Sequence, residues 1–351
     1  MLFAVASLPK VQAADYTIGA YYFPGWHSQS EYWRDLQGLP GSRSPGRPWP
    51  ELEPLQGFGY PEESPKVMEK QVDWASSYGI DYFAFDWYWE GSKPSLNHAI
   101  EAYQKIPNKT KLNYCLLWAN AYAVPASQEQ FTAMVDYWLD NYFKDPNYLK
   151  IGGKPVVIVF SPHRLRDNAR GFGSETGELF KLARQKAVKA GLPGIHFIGH
   201  TPANSYWVKG YLPDQGYDAL TAYNYHAAGF PGEFKGDERP AVNYQELLEG
   251  YQSQWNWILQ NSKLPYVVPM SSGWDKRPWG SNTPHDNCHS TPESFRRMLE
   301  AGKAVMDKNP EQTGRMGILF AWNEFGEGGY IEPTKKWGFQ YLQAVKEVFG
   351  K

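Results

Sequence analysis

The chain has 351 residues, 42% of them hydrophobic and 21% charged, with a formal net charge of −2. This predicts a folded globular core and argues against nucleic acid, or an anionic membrane, as a partner held by bulk electrostatics. No apolar run reaches the ~18 residues of a membrane-spanning helix, so no membrane span is expected.

In chain order, Met1–Pro9 followed by Val11-Gln12-Ala13-Ala14 resembles the end of a secretory signal with an A-x-A-like site, although a basic start is missing. Export to the exterior or the periplasm is expected, with a disordered leader as the alternative, and residues 1–14 are left out of the fold. Thr17–Phe23 predicts a first strand, stopped by Pro24-Gly25. A Gly/Pro-rich loop runs from about Trp26 to Pro65, a length that usually signals function in a compact domain. Ser64–Tyr78 predicts a helix with Val67, Met68, Val72 and Ala75 on one face, ended by Gly79. Strand two is Ile80–Trp87, followed by a helix over Ser95–Ile106. Strand three is Leu112–Trp118, followed by a helix over Gln128–Phe143 with Phe131, Met134, Val135 and Trp138 at helical spacing. Strand four, Pro155–Phe160, precedes a helix over Glu175–Ala190. Strand five, Ile195–Gly199, precedes a short helix, Ser205–Tyr211. Strand six, Ala219–Tyr223, precedes the helix Tyr244–Asn261. Strand seven, Tyr266–Met270, is followed by a polar loop, about Lys276–Ser290, and a helix over Pro292–Lys308 with Thr291 as its N-cap. Strand eight is the apolar run Met316–Phe320, and Trp337–Phe349 closes the chain as a helix.

Eight strand–helix alternations argue for parallel βαβ units, and the count of eight for a single closed (β/α)8 TIM barrel over residues 15–351 with a long first βα loop. The first strand ends in Phe23-Pro24-Gly25-Trp26-His27 rather than in a Gly-rich phosphate fingerprint, which weighs against a nucleotide-binding fold. In such a barrel the functional side chains project from the C-terminal strand ends. There the sequence offers Tyr22 and His27 after strand one, Asp86 and Trp87 after strand two, and Trp118 and Asn120 after strand three. His200 follows strand five, and Tyr223, Asn224 and His226 follow strand six. Trp274 and Asp275 follow strand seven.

The sharpest signal follows strand eight, in Ala321–Pro333 (AWNEFGEGGYIEP). Glu324 and Glu327 stand three residues apart among Gly326, Gly328 and Gly329, which predicts a tight turn. Glycosidic cleavage commonly pairs one protonated acid with one carboxylate, and two acids held close in a partly apolar pocket have their pKa values pushed apart. A solvated acidic turn is the bland alternative. Asp86 is either inward at the mouth or buried against a barrel cation. Trp87, Trp118, Trp274 and Trp322 are either core or sugar platforms, and 15 Trp and 24 Tyr exceed what a core alone would use. His285-Asp286-Asn287-Cys288-His289 offers metal-binding side chains but matches no standard zinc spacing, so no metal or other cofactor is expected. A bridge between Cys115 and Cys288 is left open.

The stretches IGAYYFPGWH, YGIDYFAFDWYW, LNYCLLWAN, FAWNEFGEGGYIEP and FQYLQAVKEV, in this order, resemble the WbsX-like proteins, a group related to glycoside hydrolase family 99. The resemblance spans nearly the whole mature chain, and the Asn323-Glu324-aromatic-x-Glu327-Gly element is its most specific part. It implies a (β/α)8 barrel acting on a carbohydrate substrate. The family 99 enzymes are endo-acting on α-mannosides and retain configuration. Carried over by motif position, Glu324 is implied to deprotonate the sugar's own 2-hydroxyl, and Glu327 to serve as general acid and then base. Gly326 stands where those mannosidases carry a larger side chain. The same branch includes proteins labelled glycosyltransferases. A transferase or transglycosylase of polysaccharide assembly is therefore the alternative, although no Asp-x-Asp element is present. A non-catalytic glycan-binding barrel is a third reading.

Overall fold

The computed structural model describes residues 16–121, 123–226 and 240–350; the leader lies outside them. Eight strands make the barrel: β1 (Thr17–Tyr22), β2 (Tyr82–Glu90), β3 (Asn113–Trp118), β4 (Lys154–Val159), β5 (His196–His200), β6 (Ala219–Thr221), β7 (Val268–Ser271) and β8 (Met316–Phe320). Each is followed by a helix: α1 (Pro65–Ser77), α2 (His98–Lys105), α3 (Gln128–Asn141), α4 (Thr176–Lys189), the π-helical α5 (Tyr206–Tyr211), α6 (Tyr244–Asn261), α7 (Pro292–Lys308) and α8 (Gln340–Phe349). The order around the sheet is β6–β5–β4–β3–β2–β1–β8–β7, all neighbours parallel. A single parallel bridge, Leu220 to Tyr266, joins the two ends, with Leu220 N–H donating to Pro265 O at 2.9 Å and Val267 N–H to Leu220 O at 2.9 Å. This is the (β/α)8 TIM barrel that the alternation predicts.

The helix ends follow from local chemistry. Ser127 accepts from Gln130 N–H at the start of α3, and Thr291 and Ser294 form a reciprocal capping box at α7. Gly79 and Gly191 take φ of +87° and +86° beyond α1 and α4, a turn that a Cβ would disfavour. Two differences from the expected elements bear on the site. An additional helix, Pro162–Gly171, intervenes between β4 and α4, and β2 runs on to Glu90 and folds back against Lys93–Ser95.

Side chains alternate between the barrel interior and the helix layer along each strand. Tyr21 and Tyr82 point inward, and Gly19 leaves room for the Tyr82 ring, which would lie 2.1 Å from a Cβ there. The other parity carries Tyr22, Phe83, Phe85, Trp87 and Trp118 into the packing between strands and helices. Tyr22 lies 4.8 Å from Phe85, and Trp87 and Trp118 lie 5.6 and 5.8 Å from Trp138 of α3. Each such indole removes roughly 150–250 Å² from water, so this layer is a main source of stability. Cys115 and Cys288 are free, buried thiols.

The long first loop does not stand open. Trp26, Trp33, Leu36, Leu52 and Tyr60 form a second buried cluster with Phe23, Phe325 and Tyr330. It therefore packs directly on the turn after β8.

Candidate active site

That turn is a miniature hairpin. Asn323–Glu324 pairs with Gly329–Tyr330, and a 3-10 turn, Phe325–Glu327, links them. Phe325 is fully buried, 5.4 Å from both Trp26 and Tyr330, and anchors the turn in the second core. Gly328 takes φ +69°, and a Cβ there would meet Asp275 N at 2.6 Å. Asp275 N–H in turn donates to Glu327 O at 2.6 Å, so the loop after β7 sits on the hairpin. Asn323 fixes the other side: its Oδ1 accepts from Phe23 N–H at 2.8 Å, its Nδ2 donates to Phe23 O at 2.9 Å, and its carbonyl accepts from Trp26 Nε1 at 2.7 Å.

Held this way, Glu324 and Glu327 line a cavity of about 660 Å³ at the C-terminal end of the barrel, together with Asp86. Asp86 and Glu324 are 5% and 3% exposed, and the Glu327 side chain is 13% exposed. One phenol serves two of these acids: the Tyr223 hydroxyl lies 2.5 Å from Glu324 Oε1 and 3.1 Å from Asp86 Oδ2. The remaining oxygens, Asp86 Oδ1 and Glu324 Oε2, are buried and have no hydrogen-bond partner among the described residues. Lys276 Nζ stands 3.8 Å from Glu327 Oε1.

Burial dominates the protonation of all three acids. It raises Asp86 well above the usual carboxylate range, with the Tyr223 hydrogen bond opposing it. It raises Glu324 likewise, and Glu327 and Asp86 add to the effect as neighbouring negative charges. Glu327 is pushed up to about 7 by burial, with Lys276 acting against the shift. Three carboxyls facing one ammonium cannot all ionise in such a site. Tyr223 has a single proton to donate, and the shorter contact gives it to Glu324.

The walls are mostly aromatic. Phe23, Tyr32, Tyr88, Phe160, Trp274 and Trp279 line the cavity. His226 stacks on Trp274, with ring centroids 3.4 Å apart and planes 7° apart, and burial lowers its pKa to about 3, which leaves it neutral.

Of the residues singled out in the sequence, Asp86, Tyr223, Asn224, His226, Trp274, Glu324 and Glu327 come together on this cavity. The others lie outside its lining. Tyr22 donates to Gln71 Oε1 at 2.7 Å behind the barrel wall, and Trp87 donates to Tyr142 Oη at 3.1 Å in the helix layer. Trp118 packs on Phe131 and Trp138, and Trp322 on Phe83. Asn120 braces the end of β4 through both the carbonyl and the N–H of Ser161, at 2.9 and 2.7 Å. Asn323 is spent on Phe23, as above. His27 packs edge-on to His98 in the first loop, and Asp275 pairs with Arg277 at 2.8 Å. His200 lies below the floor, with Nε2 3.0 Å from Tyr21 Oη.

The His285–His289 run does not converge on a point. Asp286 is fully buried and its oxygens accept from Trp274 Nε1, Lys276 N, Ser281 Oγ, and the N–H and hydroxyl of Thr283. Burial acts to raise its pKa, but the Thr283 and Ser281 hydrogen bonds and the nearby His285 hold it down to about 2. His285 turns to Thr283 and His289 to Arg277. The run is thus the brace of the loop that delivers Trp274, Lys276 and Trp279 to the cavity.

Sequence reasoning missed Lys276, Trp279, Arg43, Tyr32, Tyr88 and Phe160. Two of these were within reach: Tyr88 shares the inward parity of Asp86, and Phe160 ends strand four. Arg43 and Tyr32 arrive from the first loop, and only its fold brings them there.

Comparison with known proteins supplies the rest. Two uncharacterized proteins named WxcX, from two strains of Xanthomonas campestris pv. campestris, are each 25% identical, over 97% and 99% of this chain and 50% and 51% of their own. The chain therefore spans about half the length of the curated relatives it matches. Among solved structures, one described as a glycoside hydrolase-like protein aligns with a TM-score of 0.67 at 16% identity, over 99% of this chain and 98% of its own. The GH99 endo-alpha-mannosidase from Bacteroides thetaiotaomicron aligns with a TM-score of 0.66 at 16% identity, over 96% and 97% of the two chains. At that identity the likeness is one of fold. The family model described as Glycosyltransferase WbsX matches residues 49–345, from the first loop to the closing helix, and the chain belongs to that family.

Proposed function

We propose that the cavity is the active site of a retaining glycoside hydrolase that cuts within a polysaccharide or other glycan. The observation that carries this reading is three buried carboxyls of raised pKa in one aromatic-lined cavity, Asp86 and Glu324 sharing the Tyr223 hydroxyl and Glu327 facing the Lys276 ammonium. Tyr223 donates to Glu324 at the shorter distance and opposes the rise that burial imposes on it, so this reading gives Glu324 the role of base. Glu327, with a pKa near 7, is an acid at neutrality and still able to turn over as a base.

The chemistry then runs in two balanced steps. Glu324 takes the proton of the sugar's 2-hydroxyl, that oxygen forms a bond to the anomeric carbon, and the glycosidic bond breaks as Glu327 protonates the leaving oxygen. Glu327, now a carboxylate, then takes a proton from water. The water oxygen bonds to the anomeric carbon, the three-membered ring opens, and Glu324 returns its proton to the 2-oxygen. Two displacements retain configuration. The choice of this substrate-assisted route over a nucleophilic carboxylate rests on the resemblance of the Asn323-Glu324-aromatic-x-Glu327-Gly motif to family 99.

The test is a panel of polysaccharides incubated with the parent protein and with Glu324→Gln and Glu327→Gln. The reading predicts new reducing ends with the parent only. It is abandoned if both variants release product at the parent rate. A glycosyltransferase is the second reading, favoured by the description of the family; calorimetric binding of a nucleotide sugar would support it. Export, expected from the leader, belongs to the same proposal and is tested by cell fractionation.

A further inference from the structure

We propose that Trp279 shapes the glycan subsite beside Glu327, and that the absence of a side chain at residue 326 is what admits it. This inference rests on the reading of the cavity as a glycan site. Trp279 ends the short turn Arg277–Trp279 and lines the cavity. Its indole lies so close to Gly326 that a Cβ there would sit 2.0 Å from both Cε2 and Nε1. Gly326 has no left-handed φ, unlike Gly328 at +69°. Glycine is therefore required at 326 for space and not for backbone conformation, and the space is occupied by one named ring.

The indole is pinned from the other side as well. Phe23 and Tyr32 lie 5.8 and 5.5 Å from it, and the Arg43 guanidinium lies 4.8 Å from its ring centroid and 4.9 Å from that of Tyr32. Arg43 is itself held by Asp35, through Nε at 2.8 Å and backbone N at 2.7 Å. Ser44 Oγ donates to Pro278 O at 2.9 Å and ties the first loop to the turn. Two loops thus press Trp279 onto Gly326, one of the two residues between Glu324 and Glu327, so the aromatic wall and the acid pair are packed together.

The ligand this wall suits is an uncharged pyranose ring next to the bond that is cut. Its C–H face packs on the aromatic wall, and its hydroxyls accept from Arg43, whose side chain is 42% exposed. A side chain at 326 and the indole at 279 compete for one volume, so either change should remove the same contact.

The test compares Trp279→Ala, Gly326→Ala, the double variant and Trp279→Phe in the Glu327→Gln background, where nothing is cleaved. The probes are yeast α-mannan, dextran and polygalacturonate in affinity electrophoresis, with a thermal melt for each variant. The expected result is that Trp279→Ala and Gly326→Ala each weaken binding of the retained neutral polysaccharide by about tenfold. The double variant should be no weaker than the worse single one, because both lose one contact. Trp279→Phe, which keeps a ring, should bind within a few-fold of the background. Unchanged affinity in both single variants overturns the inference, as does a double variant whose loss is the product of the two, and so does preferential retention of polygalacturonate. If the background protein binds none of the three polymers, the glycan reading and this inference fall together. If it binds and the single variants match it, only this inference falls.

Discussion

Replacing Tyr223 with Phe probes the acid cluster most sharply. The change removes one oxygen and leaves the ring contacts with Tyr21, Phe160 and Phe320, at 4.8, 5.2 and 4.9 Å, in place. It deletes the only hydrogen bond to the Glu324 carboxyl among the described residues, at 2.5 Å, and one to Asp86 at 3.1 Å. A hydrogen bond to a charged acceptor is worth about 1.5–3 kcal/mol, so if that bond stabilises the ionised Glu324 the base is lost in proportion. The expected fall in kcat/KM is about 10- to 100-fold. The sign of the pH effect is also fixed. Tyr223 lowers the pKa of Glu324, so its removal raises that pKa, and the acidic limb of the kcat/KM profile moves to higher pH. The assay is reducing-end release from the active polysaccharide between pH 4 and 9, with a thermal melt beside it. Because Glu324 and Asp86 lose a buried donor, a loss of about 1–3 kcal/mol in the melt is expected beside the kinetic effect. A variant with parent kcat/KM and an unmoved acidic limb would refute the assignment of Glu324 as the ionised base.

Three further outcomes follow from the same geometry. Glu327 acts first as an acid with a pKa near 7, so turnover should decline as pH rises through about 7; Lys276→Met removes the charge that lowers this pKa and should move the basic limb upward. Asp286→Ala leaves five donors without their acceptor and should loosen the loop that carries Trp274, Lys276 and Trp279; a rise in KM, with a loss of about 1–3 kcal/mol in denaturant unfolding, checks it. Trp87→Ala should cost about 3–5 kcal/mol of stability, because its indole is buried against Trp138 and Trp89, yet leave KM within a few-fold.

The barrel was legible because each strand and helix announces itself locally. Apolar runs such as Met316–Phe320 stop at turn residues, and Thr291 caps its helix as its side chain predicts. The acid pair was legible because Glu324 and Glu327 are neighbours in sequence, and the family resemblance pointed to the same motif. What failed was the side of the strand. Tyr22, Trp87 and Trp118 sit at strand ends, but strand parity sends them to the helix layer and brings Tyr21, Asp86 and Ala119 to the interior instead. Counting alternate residues from Asp86 would have excluded Trp87 and admitted Tyr88. Arg43 and Tyr32 were out of reach for a different reason. They lie in a loop whose course is set by long-range packing of Trp26, Trp33 and Tyr60 on Phe325, and no local pattern encodes where such a loop ends up.

Proton NMR of the first product formed from a defined glycan tests the central assignment most directly. With the parent protein, the newly released reducing end should appear in the anomeric configuration of the bond that was cut and only later mutarotate; with Glu327→Gln no reducing end should appear. Release of the opposite anomer first, or release by Glu327→Gln at the parent rate, would contradict the account.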